Sequence, residues 1–548
     1  TCGAACSESE HCCRIARAGA AIEDIDSWND KLFPRFRQAV PLRRECELQP
    51  GDVLFIPALW FHNVTSLGFS VALNVFWRGG GLPSVTAKNS TSSTAAHKLH
   101  VGIIGLGTAG LASAIFLQQQ GHDVTIYETT TSENLNTVAG AGIGMQPIGL
   151  TVLHRLGLLE SVLNKGARID QLHAITREGR DVLDLRYSDF RPELFGLGLH
   201  RDVLFTTLYN EAVRCGGSDG SSVVGKLEIV TGFTAGSIIP NAADTGSDIL
   251  EHVDEGDSIN LQRKEGSFDL VVVCDGRNSI RKNMKHVQSI ERKYPFGCLW
   301  TILPDHEREF TSRNELYQRL DSSRTMLGFL PTGQGPNMTK EDPELVSIFW
   351  SLDMSTVDTV MERGLDAWKE QVVALEPRSE QLFEGLTSMD QLIPAAYSDT
   401  YMPRLYDSST RTVFLGDAAH ATSPQLGQGA NLALVDAWVL SEVVASAWSH
   451  SNGGGGSGVR DALVQRAMVE FDRERRWRLR FYQLNSKLLT PVFQSNSKVI
   501  GSLRDIFMGP LCRFPVTRLQ MLTVLCGAQN NGIPWTTIPE EEYMGYVR

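Results

Sequence analysis

The sequence predicts an α/β protein: a Rossmann-type, dinucleotide-binding unit interleaved with a β-rich domain, a helical carboxyl-terminal part, and a small β fragment at the amino end. Three observations predict it. Residues 99–128 read as strand, glycine turn, helix, strand; residues 291–400 hold alternating strands around Tyr294 to Leu303, Met326 to Leu330 and Val346 to Leu352 that interrupt that pattern; and residues 460–487 are a charged helical stretch.

Composition sets the outer limits. With 548 residues the chain is long enough for two to four domains, and 42% hydrophobic with 21% charged residues is ordinary for a soluble globular protein. A formal net charge of −12 argues against a nucleic-acid partner, which needs a basic face. No stretch reads as a signal peptide, so the expected compartment is cytoplasmic. Cys2, Cys6, Cys12 and Cys13 crowd the first residues beside His11, but a C-x3-C followed by adjacent cysteines is not a usual zinc spacing. Reduced thiols and no metal site are expected, and the sequons at Asn63, Asn89 and Asn337 carry little weight without a secretory signal.

The first element is residues 47–77, ELQPGDVLFIPALWFHNVTSLGFSVALNVFW, with alternating apolar strands around a Pro-Gly-Asp turn and a lone His62. GDVLFIPALWFHNV and NVFW resemble the last strands of a JmjC-type cupin, the Fe(II)/2-oxoglutarate oxygenase group, and in particular its tRNA wybutosine-synthesising branch. The resemblance implies that His62 is the distal iron ligand. It also implies an upstream H-x-D, and before His62 the sole histidine is His11, followed by Cys12 and Cys13, so the triad cannot be assembled. Residues 1–78 are therefore expected to be an inactive cupin/JmjC-like fragment, left by a fused gene, a mis-joined gene or a missing upstream segment. Residues 79–98, rich in Gly, Ser and Thr, are a linker.

The main domain, 99–450, opens on a buried strand at Val101–Ile104. Gly105, Gly107 and Gly110 follow at G-x-G-x-x-G spacing where a helix must start: the first permits the turn, the second lets a pyrophosphate approach, and the third lets helix and strand pack. Glu128 stands 23 positions after Gly105, at the end of the next apolar run, where a carboxylate accepts ribose hydroxyls. The uncharged run Val101–Leu117 is near the lower limit for a bilayer span of about 17 residues and is broken by glycines, so a membrane reading is rejected.

Two later stretches narrow the cofactor. In FDLVVVCDGRNSIRK an apolar strand runs into Asp275-Gly276, with Ser279 and Arg281 beyond. In RTVFLGDAAHATSPQLGQGANLALVDAW another delivers Gly416-Asp417, then Pro424, Gly427, Gly429 and Asn431. With the first motif these resemble the FAD-dependent aromatic hydroxylases, the p-hydroxybenzoate hydroxylase-like group A flavin monooxygenases, in order and separation. The resemblance implies FAD, with Asp417 on a ribityl hydroxyl and Asp275-Gly276 where FAD and a nicotinamide donor both reach. It implies an FAD contact for Arg201, in HRDVLFTTL, and a backbone lying against the isoalloxazine at Gly140, Gly142 and Gly144. It divides the domain into FAD segments at about 99–170, 196–290 and 400–450 and a substrate-side sheet at about 171–195 and 291–400.

The spacing of Leu432, Val435, Val439 and Val443 adds that a helix begins just after Gly427 and Gly429, and the resemblance implies that its positive end points toward the flavin. His420 is expected to be structural. Trp300, Phe329, Phe349 and Trp350 are candidates for lining the pocket, with core packing the simpler role for each. No catalytic acid or base stands out, which fits a cofactor that carries the chemistry.

In 451–548, the run RERRWRLR reads as a solvated helix face, with peripheral membrane attachment as the minor alternative. The following LLTPVFQSNSKVIGSLRDIF is expected beside the pocket or at a homodimer contact. The activity implied by the resemblance is hydroxylation of a small aromatic or otherwise electron-rich substrate by NADPH or NADH and O2 through a flavin hydroperoxide. The alternatives are a flavin oxidase, dehydrogenase or halogenase, or an Fe(II)/2-oxoglutarate oxygenase acting through the amino-terminal region.

Overall fold

The computed structural model describes residues 98–135, 141–216, 224–241, 246–255, 258–263, 266–449 and 457–530. The chain divides between Ser92 and Ser93, and every described residue lies in the second unit. The cupin-like stretch, with His11, His62 and its cysteines, and also Gly140, lie outside the described residues.

A six-stranded sheet forms the first layer, in the order Tyr406–Asp407, Thr412–Phe414, Leu270–Val273, His100–Ile104, Asp123–Glu128, Leu227–Thr231. The inner pairings are parallel: Ile104 stands beside Val273 on one side and Tyr127 on the other, and Val273 stands beside Phe414. Leu270–Val273 is buried throughout, as expected of a parallel strand covered on both faces. The helix Thr108–Gln119 packs on this sheet, Gly429–Ser449 packs on that helix, and the long helix Ser457–Phe493 packs on Gly429–Ser449. Gly429–Trp448 is long and apolar enough to cross a membrane, yet 72% of its apolar window is buried in the protein. That is the pattern of a core helix.

The second layer is a seven-stranded sheet, ordered Ile393–Tyr401, Ile290–Pro304, Leu345–Asp353, Thr325–Gly333, Glu315–Asp321, Gln171–Thr176, Asp181–Arg186. The strands expected around Tyr294, Met326 and Val346 are all present and each is longer than expected. This sheet has its own core, in which Phe329 stacks on Phe310 with ring centroids 4.1 Å apart and Trp350 meets Trp368 edge-on. Those contacts settle Phe329 and Trp350 as core residues. Trp300 and Phe349 are paired across strands and remain half-buried.

One reading of the carboxyl-terminal part is corrected. RERRWRLR is helical, but it is not simply a solvated face: Arg475 is fully buried and Arg478 is 8% exposed, while Arg473, Glu474 and Trp477 point outward. Phe471, Arg475, Arg478, Leu479 and Tyr482 form the inner stripe at helical spacing. Beyond it, Lys498–Arg513 packs on the edge strand Asp181–Arg186 and leaves Val499, Leu503, Ile506 and Phe507 exposed.

Candidate functional site

Three glycine-bearing turns share one edge. Ile104, Val273 and Phe414 are register partners on adjacent parallel strands, so Gly105, Asp275-Gly276 and Gly416-Asp417 emerge side by side at the carboxyl ends of the sheet. Glu128 ends the fourth strand of the row. Ligands of open α/β sheets bind in this crevice.

At the Gly105 turn each glycine has a different reason to be there. Gly105 has φ +105°, and a β-carbon on it would lie 2.6 Å from the Cys274 carbonyl oxygen. One on Gly110 would lie 2.1 Å from the Gly105 oxygen. One on Gly107 would meet nothing within 4 Å. The first two are required by the protein's own packing, whereas Gly107 borders open space that the fold itself does not use. The helix Thr108–Gln119 has Gly107 as N-cap, no side-chain cap and no acid in its first turn, and its first helical bond is Leu111 N to Gly107 O at 3.0 Å. Thr108, Ala109 and Gly110 thus precede the first bonded N–H, a site suited to phosphate. Glu128 is fixed beside it, its carboxylate accepting Leu106 N at 2.9 Å and Thr130 N at 2.8 Å. A carboxylate has about four acceptor positions, so two remain for a ribose.

Asp275 accepts Ile280 N at 2.7 Å through Oδ2, while its buried Oδ1 has no partner among the described residues. Burial pushes its carboxyl above the usual range, against the Ser279 and Ile280 hydrogen bonds that lower it. Gly276 (φ +76°) has open space where a side chain would stand. Arg277 reaches the Ala396 oxygen on the second sheet, and buried Arg281 bonds the Ala418 oxygen and Glu291, tying this turn to the next.

At the third turn Gly416 (φ 58°, ψ −145°) precedes the short helix Asp417–His420, and the Asp417 side chain is exposed. Exposed Pro424, Gly427 (φ +59°) and Gly429 follow, with nothing within 4 Å of a β-carbon on Gly429. In the helix that starts at Gly429, Leu432 N bonds Gln428 O at 2.8 Å, so the N–H groups of Gly429, Ala430 and Asn431 precede the first intrahelical bond of their kind. Asn431 is fully buried and committed to the protein: Oδ1 accepts Gln146 N at 2.8 Å, and Nδ2 donates to Gly144 O at 3.1 Å and Gly427 O at 2.9 Å. Its side chain staples the Gly142–Met145 strand to the helix start. Gly142 is pressed against Ser347 and Thr332 of the second sheet, and Gly144 is more open, since a β-carbon on it would meet nothing nearer than Gln146 Nε2 at 3.6 Å. Arg201 begins the helix Arg201–Gly216 with its side chain exposed, next to His200, the register partner of Gly142.

His420 is structural in this arrangement. Its Nε2 lies 2.6 Å from Asp436 Oδ2, which also accepts Gly416 N at 2.8 Å, while Arg475 Nε donates to Asp436 Oδ1 at 2.7 Å. Burial alone raises the Asp436 carboxyl, but His420 and Arg475 together bring it below the usual range. Asp436, Arg475 and Gln146 were missed from sequence. The available signal was a lone acid in the apolar helix after Gly429 and an arginine at the spacing of Phe471 and Leu479. Among the described residues no cluster of three or more His, Cys, Asp or Glu side chains is placed to hold a metal ion.

These open cradles, an uncapped helix start, an orphaned Asp275 oxygen and an exposed Asp417 fit an extended dinucleotide. Residues 98–222 and 252–454, more than half of the chain, match the family described as FAD binding domain. The chain belongs to that family. It is an FAD-dependent monooxygenase of the aromatic hydroxylase type, an oxidoreductase. It is 24% identical over 359 residues to the putative FAD-dependent monooxygenase YetM of Bacillus subtilis, covering 64% of this chain and 86% of the relative. It is 27% identical to 3-amino-4-hydroxybenzoate 2-monooxygenase PtnB3 of Streptomyces platensis, covering 64% and 81%. Its fold is similar to that of 2-methyl-3-hydroxypyridine-5-carboxylic acid oxygenase (TM-score 0.58, 19% identity, 78% of this chain and 96% of the other). It is also similar to Klebsiella pneumoniae HpxO complexed with FAD and uric acid (TM-score 0.59, 16% identity, 78% and 97%). Residues 11–80 of the monooxygenase match a cupin-like domain. In that region it is 60% identical over 57 residues to tRNA wybutosine-synthesizing protein 5 of Danio rerio, covering 10% of this chain and 17% of the relative's length.

Proposed function

We propose that this monooxygenase uses NADPH or NADH and O2 to hydroxylate a small aromatic or similarly electron-rich substrate, by way of a flavin hydroperoxide. The observation that carries the reading is the row of turns at Gly105, Asp275-Gly276 and Gly416-Asp417, which follow three register-matched strands and leave open space at Gly107, Gly276 and Gly429. When bound, FAD supplies the redox chemistry: it accepts a hydride from the nicotinamide and, once reduced, activates O2 for transfer of one oxygen atom.

In this reading the N–H groups at the start of Thr108–Gln119 hold the diphosphate and Glu128 holds the adenosine ribose. Asp417 takes a ribityl hydroxyl, Arg201 and the Gly142–Gly144 backbone contact the cofactor, and Pro424, Gly427 and Gly429 shape the turn around it. Asn431 acts from behind, fixing Gly144 against Gly427. The positive end of Gly429–Ser449 favours negative charge on the reduced ring. The second sheet forms the other wall, where the substrate is oriented and water excluded. The cofactor segments at about 99–170, 196–290 and 400–450, an amino-terminal fragment without oxygenase activity and a cytoplasmic location belong to the same proposal.

Purified full-length protein tests it. A flavin absorbance spectrum together with NADPH oxidation stimulated by phenols or polycyclic aromatics supports the reading. Flavin reduction by the substrate itself, without NADPH or NADH, makes the enzyme an oxidase or dehydrogenase instead. Iron-dependent succinate formation from 2-oxoglutarate shifts the activity to the amino-terminal region.

A further inference from the structure

The matched family segment ends at residue 454, yet a buried charge behind the Gly416-Asp417 turn is balanced from beyond it. Gly416 adopts a backbone conformation open essentially to glycine, and what holds its N–H is the Asp436 carboxylate at 2.8 Å. Asp436, His420 and Arg475 are 0%, 3% and 0% exposed. A carboxylate removed from water in this way must be matched by a cation and by hydrogen bonds. His420 supplies one hydrogen bond to Oδ2. The permanent positive charge on Oδ1 is Arg475, from the helix Ser457–Phe493.

The same helix, with Gln494 just beyond its end, grips the rest of the loop. Ser486 Oγ and Thr490 Oγ1 lie 3.0 and 2.6 Å from Ser423 Oγ, and Gln425 Nε2 donates to Gln494 Oε1 at 2.8 Å. Gln428 Nε2 donates to the Val524 and Leu525 oxygens at 3.0 and 2.8 Å, so the helix Pro515–Cys526 is anchored beside Gly427 and Gly429 as well. Each contact joins the loop 416–429 to residues outside the matched segment.

We propose that Arg475 is a positioning residue of the FAD site: acting through Asp436, it holds the Gly416 turn so that Asp417 faces the cofactor, which makes the carboxyl-terminal helices a working part of that site. Without the guanidinium, the buried carboxylate must take up a proton or draw in water. Either change weakens its hold on the Gly416 N–H and releases the turn.

The test uses the full chain, stripped of flavin and titrated with FAD while flavin fluorescence is followed, together with the flavin midpoint potential of the reloaded protein. Arg475→Met raises the FAD dissociation constant at least about tenfold, the size expected for loss of a buried charge-assisted hydrogen bond, and shifts the potential. Arg475→Lys, which keeps the charge but not the planar fork, weakens FAD binding by about threefold. A Met variant whose apoprotein melts earlier but whose FAD affinity and potential match wild type overturns the proposal, since Arg475 would then serve the fold alone. If the Met variant does not fold, the Lys variant decides: unchanged affinity and potential overturn it as well.

Discussion

Gly107→Ala separates the needs of the fold from those of the cofactor. Gly107 is an N-cap in an extended conformation (φ −82°, ψ −170°) that alanine also adopts, and a β-carbon there meets no protein atom within 4 Å. The apoprotein loses some capping quality and gains by restricting the unfolded chain, effects of opposite sign and each about 0.5–1 kcal/mol. Its melting temperature therefore stays close to wild type. The methyl does occupy the space through which a diphosphate reaches the N–H groups of the first helical turn. Losing one or two hydrogen bonds to a charged ligand costs about 2–4 kcal/mol, or roughly 30- to 1000-fold in FAD affinity. The control is Gly110→Ala, whose methyl would stand 2.1 Å from the Gly105 oxygen and so strains the protein itself, by about 1–3 kcal/mol or more. Thermal melts of both apoproteins and FAD titrations of both variants are the assays. A Gly107→Ala protein that binds FAD like wild type, or whose apoprotein is as destabilised as Gly110→Ala, refutes the assignment of that space to the cofactor.

Other outcomes follow from the same geometry. Glu128→Ala strands the Leu106 and Thr130 N–H groups along with the ribose, so FAD affinity drops by about ten- to a hundredfold and the apoprotein is less stable by about 1–3 kcal/mol, measured by titration and melts. Asp275 has a raised folded-state pKa, so its contribution to apoprotein stability is fully present below the unfolded value and is lost as pH rises through the folded one. Asp275→Asn accordingly stabilises the apoprotein at pH 7, and the gain disappears on acidification below about pH 4. Phe329→Ala empties a fully buried site against Phe310 and costs about 3–5 kcal/mol, while FAD affinity per folded molecule is unchanged because the second core lies apart from the first.

The adenosine end was legible in the sequence because its chemistry is local. Gly105, Gly107, Gly110 and Glu128 act within one strand–turn–helix–strand unit, and their spacing is a direct consequence of that unit's geometry. The strands of the second sheet were legible from alternation, although their ends were placed a few residues short. What the sequence hid was long-range. Asn431 stands in a motif that suggests a cofactor contact, but its amide is committed to Gly144, Gln146 and Gly427, a role that exists only once strand Gly142–Met145 lies against the helix. Arg475 was hidden differently: in RERRWRLR five of the eight residues are basic, and charge density suggested solvent. Helical phase decides instead, turning Arg475 and Arg478 inward with Phe471 and Tyr482 and leaving Arg473 and Trp477 outside. An inward arginine needs a buried acid, and Asp436 lies 39 residues away in sequence.

The most direct measurement of the central claim is NADPH consumption by the purified, flavin-loaded chain under labelled O2, with and without members of a panel of phenols and fused aromatics. At least one compound is expected to accelerate NADPH oxidation and to leave as a product carrying one labelled oxygen atom. A flavin-loaded protein whose NADPH oxidation is indifferent to every aromatic, with no label in any product, contradicts it.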